Sequence, residues 1–431
     1  MQTTKLPVLL CLAAVLYLFA PQLIILGTAS DWTRFRGPDG SGASSDQQLP
    51  AHWTSDDNVV WRTRLPGFGG SSPITLGNRV FITCYSGYGL EPNQGDMQDL
   101  RRWCICLDRT TGTVQWKKEF TPQLPESTYS GGNSSRHGYS SSTPITDGKH
   151  LYLFFGRSGV FCLDLQGRQI WHATVGSKSH RWGSSNSPVL YQDLLIVNAS
   201  VESQSLIALN KHTGKQVWHA DGIRASWNTP LLVKTANDTS ELVVSIQGSL
   251  LGFAPSSGET LWQCEGIRTY ACPSAIAVDD VVFVTGGRGQ QSTLAVRAGG
   301  RGDVTATRLL WRVEKGSNVS SLVHHNGYLY CANDSRGIAF CFDAATGDIQ
   351  YEERLTPRPD LVYASPIVAD QKIFYVSQTR GTYVITASPS YKLLAHNTFD
   401  KDTSRSNASP VISNSQLLLR NDQFLYCLGS R

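Results

Sequence analysis

The sequence predicts an all-β fold: an eight-bladed β-propeller of four-stranded antiparallel blades, the last blade closed by an N-terminal strand. Three observations predict it. One pattern returns along nearly the whole chain at steps of 42 to 44 residues, which is the period of a four-stranded blade. Each copy holds strand-length apolar runs separated by turn residues. A lone strand fragment, Val59 to Arg62, stands ahead of the first copy, while the last copy runs out one strand short. Composition agrees. Only 17% of the 431 residues are charged, with 39 Gly and 11 Trp, against about 25% charge in an ordinary domain. Disordered chains and coiled coils need more charge than this.

Each copy opens on Ser/Thr-Pro. These are Ser72-Pro73, Thr143-Pro144, Ser187-Pro188, Thr229-Pro230, Cys272-Pro273, Ser365-Pro366 and Ser409-Pro410, and the sixth copy has Ser321-Leu322 without the proline. From Pro144 the steps are 44, 42 and 43 residues, and from Pro366 to Pro410 the step is 44. A proline at a strand start forfeits no ladder bond. The third run of a copy ends in Leu-Asp or a relative of it, as at Asp108, Asp164 and Asp343. There the side chain can bond the backbone of the following turn. A Thr-Gly type turn follows, as at Gly112, Gly214 and Gly347, where glycine supplies the positive φ of a tight hairpin. The copy closes on a Trp, as at Trp116, Trp171, Trp218, Trp262 and Trp311, with Tyr351 in that place in the sixth. The recurring ring reads as packing between blades. Pairing of Val59–Arg62 with the eighth copy would remove the ring's last open edge.

Three segments result. Residues 1–29 read as a secretory signal, with Lys5, an apolar run from Leu6 to Leu26, and small residues Gly27 and Ala29 flanking a cut. An uncleaved anchor is the alternative, because 21 residues can span a bilayer. Residues 30–58 are an N-terminal strap expected to pack its aromatics on the ring, and residues 59–431 are the propeller. The expected location is the periplasm or cell envelope, with no transmembrane segment after signal removal. Cys11 is preceded by Val8-Leu9-Leu10, without the small residue that a lipid-anchor signal needs. The other nine cysteines are odd in number and show no zinc spacing, so most read as small buried hydrophobes. Net charge is +4 with no basic run, which excludes nucleic acid as the expected partner.

The form Leu107-Asp108 to Thr111-Gly112 to Trp116 resembles the quinoprotein-type, or PQQ-like, propeller repeat, over residues 59 to 431. The opening Trp32-Thr33-Arg34-Phe35-Arg36-Gly37-Pro38 is similar to a bacterial family of exported PQQ-like repeat proteins, with BamB-type propellers as structural relatives. For the catalytic quinoproteins the resemblance implies a quinone over the ring centre. It also implies a calcium or lanthanide ion on Glu, Asn and Asp, a catalytic Asp, a Trp platform and usually a Cys-Cys disulfide. This chain has no Cys-Cys pair, no compact carboxylate cluster in the strand connections, and a shorter length than those enzymes. No cofactor is therefore expected. PQQ with calcium belongs only to the alternative, a PQQ-dependent oxidoreductase. The expected function is a non-catalytic envelope propeller that binds or scaffolds an envelope protein, peptide or glycan. A BamB-like outer-membrane assembly factor is the further alternative.

The candidate site lies in the connections just before each Ser/Thr-Pro, which in a propeller line one channel mouth. They repeat a basic-plus-aromatic theme: Arg136, His137 and Tyr139; His180, Arg181, Trp182 and Asn186; Arg224, Trp227 and Asn228; Arg268 and Tyr270; Tyr363; Arg405 and Asn407. Convergent guanidiniums offer planar donor forks to a carboxylate or phosphate. The expectation is an anionic ligand or acidic polymer end at this mouth. The long loops between Tyr85 and Trp103 and from Thr121 to Ser135 are either functional or a cover over it.

Overall fold

A computed structural model describes residues 2, 31–91, 94–128, 138–400 and 402–429. The expected signal segment, apart from residue 2, lies outside the described residues, as do Arg136 and His137. No described helix is long and apolar enough to cross a membrane.

The repeat builds eight sheets. Blade 1 comprises Ile74–Leu76, Arg79–Ser86, Arg101–Asp108 and Val114–Phe120. Blades 2 to 8 begin at Ile145, Val189, Leu231, Ile276, Val323, Ile367 and Val411. The eighth blade has only three strands of its own, and Val59–Arg64 supplies the fourth, antiparallel to Phe424–Leu428. The last edge closes as the sequence predicts. Blade 4 departs from the repeat by adding a fifth strand, Gly302–Asp303, parallel to Thr260–Glu265. That strand lies in an insertion of blade 5. It is pinned by Glu241, a buried carboxylate that accepts from the Trp262 indole at 2.7 Å, the Gly299 amide at 3.0 Å and Arg301 at 3.3 Å.

Two repeated contacts hold blade to blade. The first uses the Trp and the Gly. The Trp61 indole donates to the Arg109 carbonyl in the turn of the next blade at 2.8 Å. Trp116, Trp171, Trp218 and Trp311 do the same to Leu165, Lys211, Pro255 and Ala344 at 3.0 to 3.1 Å. Each ring covers the glycine of the turn it reaches. A Cβ on Gly214, at φ +72, would stand 2.7 Å from Trp171, so that glycine is required by both conformation and space. Trp262 does not reach forward, because Glu241 of its own blade takes its indole N–H. The Asp of each turn behaves as read: Asp108 accepts the amides of Thr110 and Thr111, both at 2.9 Å.

The second contact belongs to the Ser/Thr rather than to the proline. The Ser72 amide donates to Thr143 Oγ1 at 3.0 Å, and the amide of Thr143 donates to Ser187 Oγ at 2.9 Å. The chain of bonds continues through Thr229, Ser274, Ser321, Ser365 and Ser409 at 2.9 to 3.0 Å. Ser72 Oγ donating to the Ser409 carbonyl at 2.9 Å completes the circle. A belt of hydroxyls thus rings the channel, one per blade. It corrects one alignment. In blade 5 the repeat position is Ser274, two residues past Cys272, so the steps into and out of it are 45 and 47 residues. Pro273 is not the equivalent of the other prolines. The hydroxyl is what the geometry needs, because only it satisfies the neighbouring blade's buried amide.

Residues ahead of the closing strand cross one end of the ring. Trp32 pairs with Thr75 of blade 1, and the Thr33 carbonyl accepts the Thr146 amide of blade 2 at 3.1 Å. On the far side Arg36, 2% exposed, donates to the carbonyls of Gly40, Ser41, Leu322 and Pro366, the last two at the starts of blades 6 and 7. Gly42 and Ser44 then pair with Val368 of blade 7. Trp53 stacks on Phe374 with ring centroids 6.5 Å apart before the chain reaches Val59. The innermost strands run from the hydroxyl belt toward this segment, so it lies beyond the belt from the connections that feed those strands.

Candidate functional site

Along the axis a cavity of about 530 Å³ runs from the connections to the strap. Trp182, Trp227, Tyr270 and Tyr363 line its mouth, and Phe35 lines its far end. The aromatic connections of blades 3, 4 and 5 come together as one cluster. Trp182 and Trp227 have centroids 5.2 Å apart, Trp182 and Tyr270 4.6 Å, and His180 packs edge-on to Trp227 at 5.1 Å. Edge-to-face packing of this kind fixes the rings against one another. The Trp227 indole donates to the Gly183 carbonyl at 2.9 Å, which ties two connections together.

The arginines of the same connections do not line the cavity. Arg181 is exposed, with its guanidinium 5.7 Å from the Trp182 ring. Arg224 and Arg268 are exposed, and Arg405 is bound to Asp422 at 3.2 Å. The aromatic residues take the inward positions, while the guanidiniums beside them keep their hydration. Asn186 is fully buried with no side-chain partner among the described residues, and it too is off the cavity wall. Asn228 is buried and holds Ser245 and Ala271 carbonyls.

The cavity's cations come from elsewhere. Arg288 and Arg336 line it from the hairpins that join the second and third strands of blades 5 and 6. Both are exposed at the mouth, and neither has an ion-pair partner among the described residues. These hairpins share a face with the connections, a placement that the repeat alone could have suggested. Asp334 stands beside them, 6% exposed, accepting the Asn318 amide at 3.1 Å. Burial pushes its carboxyl above the ordinary range, with the Asn318 hydrogen bonds opposing. Burial pushes the Cys272 thiol up to about 12, so it is protonated at neutral pH. All nine described cysteines are free thiols.

A smaller cavity of about 20 Å³ lies beneath the mouth between blades 1, 2 and 3, room for about one water. Glu202 lines it, 1% exposed. Its Oε1 accepts from the Ser184 hydroxyl and its Oε2 has no partner among the described residues. Burial raises this carboxyl to about 7, with the Ser184 hydrogen bond and Arg102 opposing and Glu126 adding to the rise. Arg102 itself is bound to Glu126 at 2.5 Å. Ser184 follows Trp182 by two residues, so the buried glutamate anchors the segment that presents Trp182. The long loop of blade 1 packs Tyr88 and Leu90 onto Tyr85 and Tyr139 nearby, as a cover would.

The chain is 24% identical over 343 residues to the outer membrane protein assembly factor BamB of Burkholderia pseudomallei (strain K96243), covering 76% of this chain and 79% of that protein. Its fold matches BamB from Moraxella catarrhalis with a TM-score of 0.58 at 13% identity, over 86% of this chain and 98% of that one. It also matches the quinohemoprotein alcohol dehydrogenase ADHIIG from Pseudomonas putida HK5, with a TM-score of 0.57 at 10% identity, over 93% and 80% of the two chains. The family model described as outer membrane protein assembly factor BamB matches residues 42–181 and 101–353. The repeat, the closed ring and this match over most of the chain together make the protein a member of that PQQ-like propeller family.

Proposed function

We propose that the chain is a non-catalytic binding module of the cell envelope, exported to the periplasm, whose ring is a scaffold and whose funnel holds an anionic ligand. The make-up of the cavity wall carries this reading. Aromatic rings, neutral hydroxyls and amides, and two guanidiniums are binding groups. The one carboxylate among the described lining residues, Asp334, is engaged by Asn318, and the one thiol, Cys272, is held protonated. Such a wall recognises rather than turns over. The name of the relatives places them in outer-membrane protein assembly, and we extend that role to this chain as the holding of assembly partners.

A quinone with calcium does not fit these residues. Calcium takes about six to eight oxygen ligands with carboxylates among them. No group of three His, Cys, Asp or Glu that could hold an ion occurs among the described residues. The three mouth rings lean on one another at 55° to 80° rather than leaving a flat slot.

Crosslinking of the tagged full chain in living envelopes tests the scaffold role. Barrel-assembly subunits are expected among the captured proteins. Capture no better than that of an unrelated exported propeller would overturn it.

A further inference from the structure

We infer that the funnel holds the end of an acidic saccharide. This rests on the binding-module reading above and names the ligand's class.

The funnel is closed at one end. The strap crosses the ring from blades 1 and 2 to blades 6 and 7, and Phe35 stands on the cavity wall there. A polymer cannot thread it, so only a chain end or a short molecule fills it. Its volume of about 530 Å³ is that of a small-molecule site, roughly 300–1,000 Å³.

The wall is rich in donors without acceptors. Thr229, Ser274, Ser321, Ser365 and Ser409 line the cavity, each at most 7% exposed. Each hydroxyl oxygen already accepts a neighbouring blade's amide. A hydroxyl also carries one proton to donate, and none of these five has an acceptor among the described residues. An arc of buried donors therefore spans five consecutive blades above Phe35. Arg288, which hydrogen-bonds Tyr270, and Arg336 add two guanidiniums at the mouth with no ion-pair partner among the described residues. This set calls for a ligand dense in acceptor oxygens and carrying a negative charge.

The other wall is the Trp182, Trp227 and Tyr270 cluster. A pyranose ring has an apolar C–H face that packs on an aromatic surface and a rim of hydroxyls that donate and accept. A uronate or lactyl carboxylate on that ring suits the planar donor fork of an arginine. Arg288 and Arg336 are thus assigned to the carboxylate, the aromatic cluster to the sugar face, and the belt hydroxyls to the terminal ring's oxygens.

Titration of the full chain with digalacturonate, a glucuronate-containing disaccharide and a muramyl disaccharide tests this, read by calorimetry and Trp emission. At least one acid is expected to bind with a change in Trp emission. Its methyl ester should bind at least tenfold more weakly. Arg288→Ala/Arg336→Ala should lose at least tenfold in affinity with an unchanged melting temperature, and Trp182→Ala should lose affinity for acid and ester alike. No binding of any of these acids, or equal affinity for acid and ester, overturns the inference. Binding of a peptide carboxylate in place of the sugars overturns it too while leaving the binding-module reading intact. Failure of partner capture in the envelope would count against the scaffold role alone and leave the binding-module reading and this inference standing.

Discussion

Arg36→Ala is expected to cost about 4 kcal/mol of folding stability. The side chain is buried and donates to four backbone carbonyls, in the strap itself and at the starts of blades 6 and 7. Burial pulls the guanidinium down to about 9, with Asp39 opposing, so it is charged at neutral pH. Alanine would strand those carbonyls without water or a donor. A hydrogen bond to a charged group is worth roughly 1.5–3 kcal/mol, and such bonds on one side chain are not additive. Arg36→Lys should lose less, because an ammonium keeps the charge but not the planar fork. Urea unfolding followed by Trp emission measures both. A loss below about 1 kcal/mol for alanine would mean that the strap does not close the ring's end.

Glu202→Gln should remove a pH dependence worth roughly 3 kcal/mol. The carboxyl titrates near 7 in the fold against 4.5 for the ordinary group. The folded chain therefore binds the proton more tightly than the unfolded one. Glu202's contribution is fully present below about pH 4.5 and is lost as pH rises to about 7, with no further change above. The stability difference between variant and wild type should be flat below pH 4.5, grow in the variant's favour to about pH 7, and then level. Unfolding at pH 4, 6 and 8 reads this directly. A difference independent of pH would show that Glu202 titrates in the fold as it does in the unfolded chain. The same residue holds Ser184 and hence the Trp182 segment, so ligand affinity should change with pH near 7, where the folded carboxyl titrates, in the wild type and not in the variant.

The ring was legible in the sequence because its devices are local. A turn Asp, a glycine at positive φ and a Trp lie within about ten residues of one another, and each copy repeats them. The closing strand at Val59 was legible by subtraction, since the eighth copy lacked one. What the repeat hid was any contact that reaches across the ring. The Ser/Thr of each Ser/Thr-Pro serves the amide of the preceding blade some 44 residues away, and the proline is only the more visible mark in the sequence. Blade 5, where Ser274 follows rather than precedes the proline, was therefore set two residues early. The fifth strand of blade 4 could not be read either, because Gly302–Asp303 has no strand signal of its own and pairs with Trp262 and Gln263 of another blade, some 40 residues away.

The mouth was legible by halves. Trp182, Trp227, Tyr270 and Tyr363 stand where the connections place them. Their arginine neighbours Arg181, Arg224 and Arg268 are exposed and stand off the cavity wall. The cations on the wall, Arg288 and Arg336, come from hairpins inside blades, outside the connections that carry the basic-plus-aromatic theme. Phe35 is expected from the sequence to pack on the ring as part of the strap, and its place at the channel's end depends on anchors at blades 1, 2, 6 and 7 that only the closed ring brings together.

The central claim, binding without redox chemistry, meets its most direct test in one preparation. The chain is purified from its native envelope in calcium-containing buffer, and its visible spectrum is recorded before and after added PQQ. The account predicts no quinone band that survives gel filtration and no oxidation of alcohols or sugars above background. A stoichiometric quinone band with calcium-dependent turnover would contradict it.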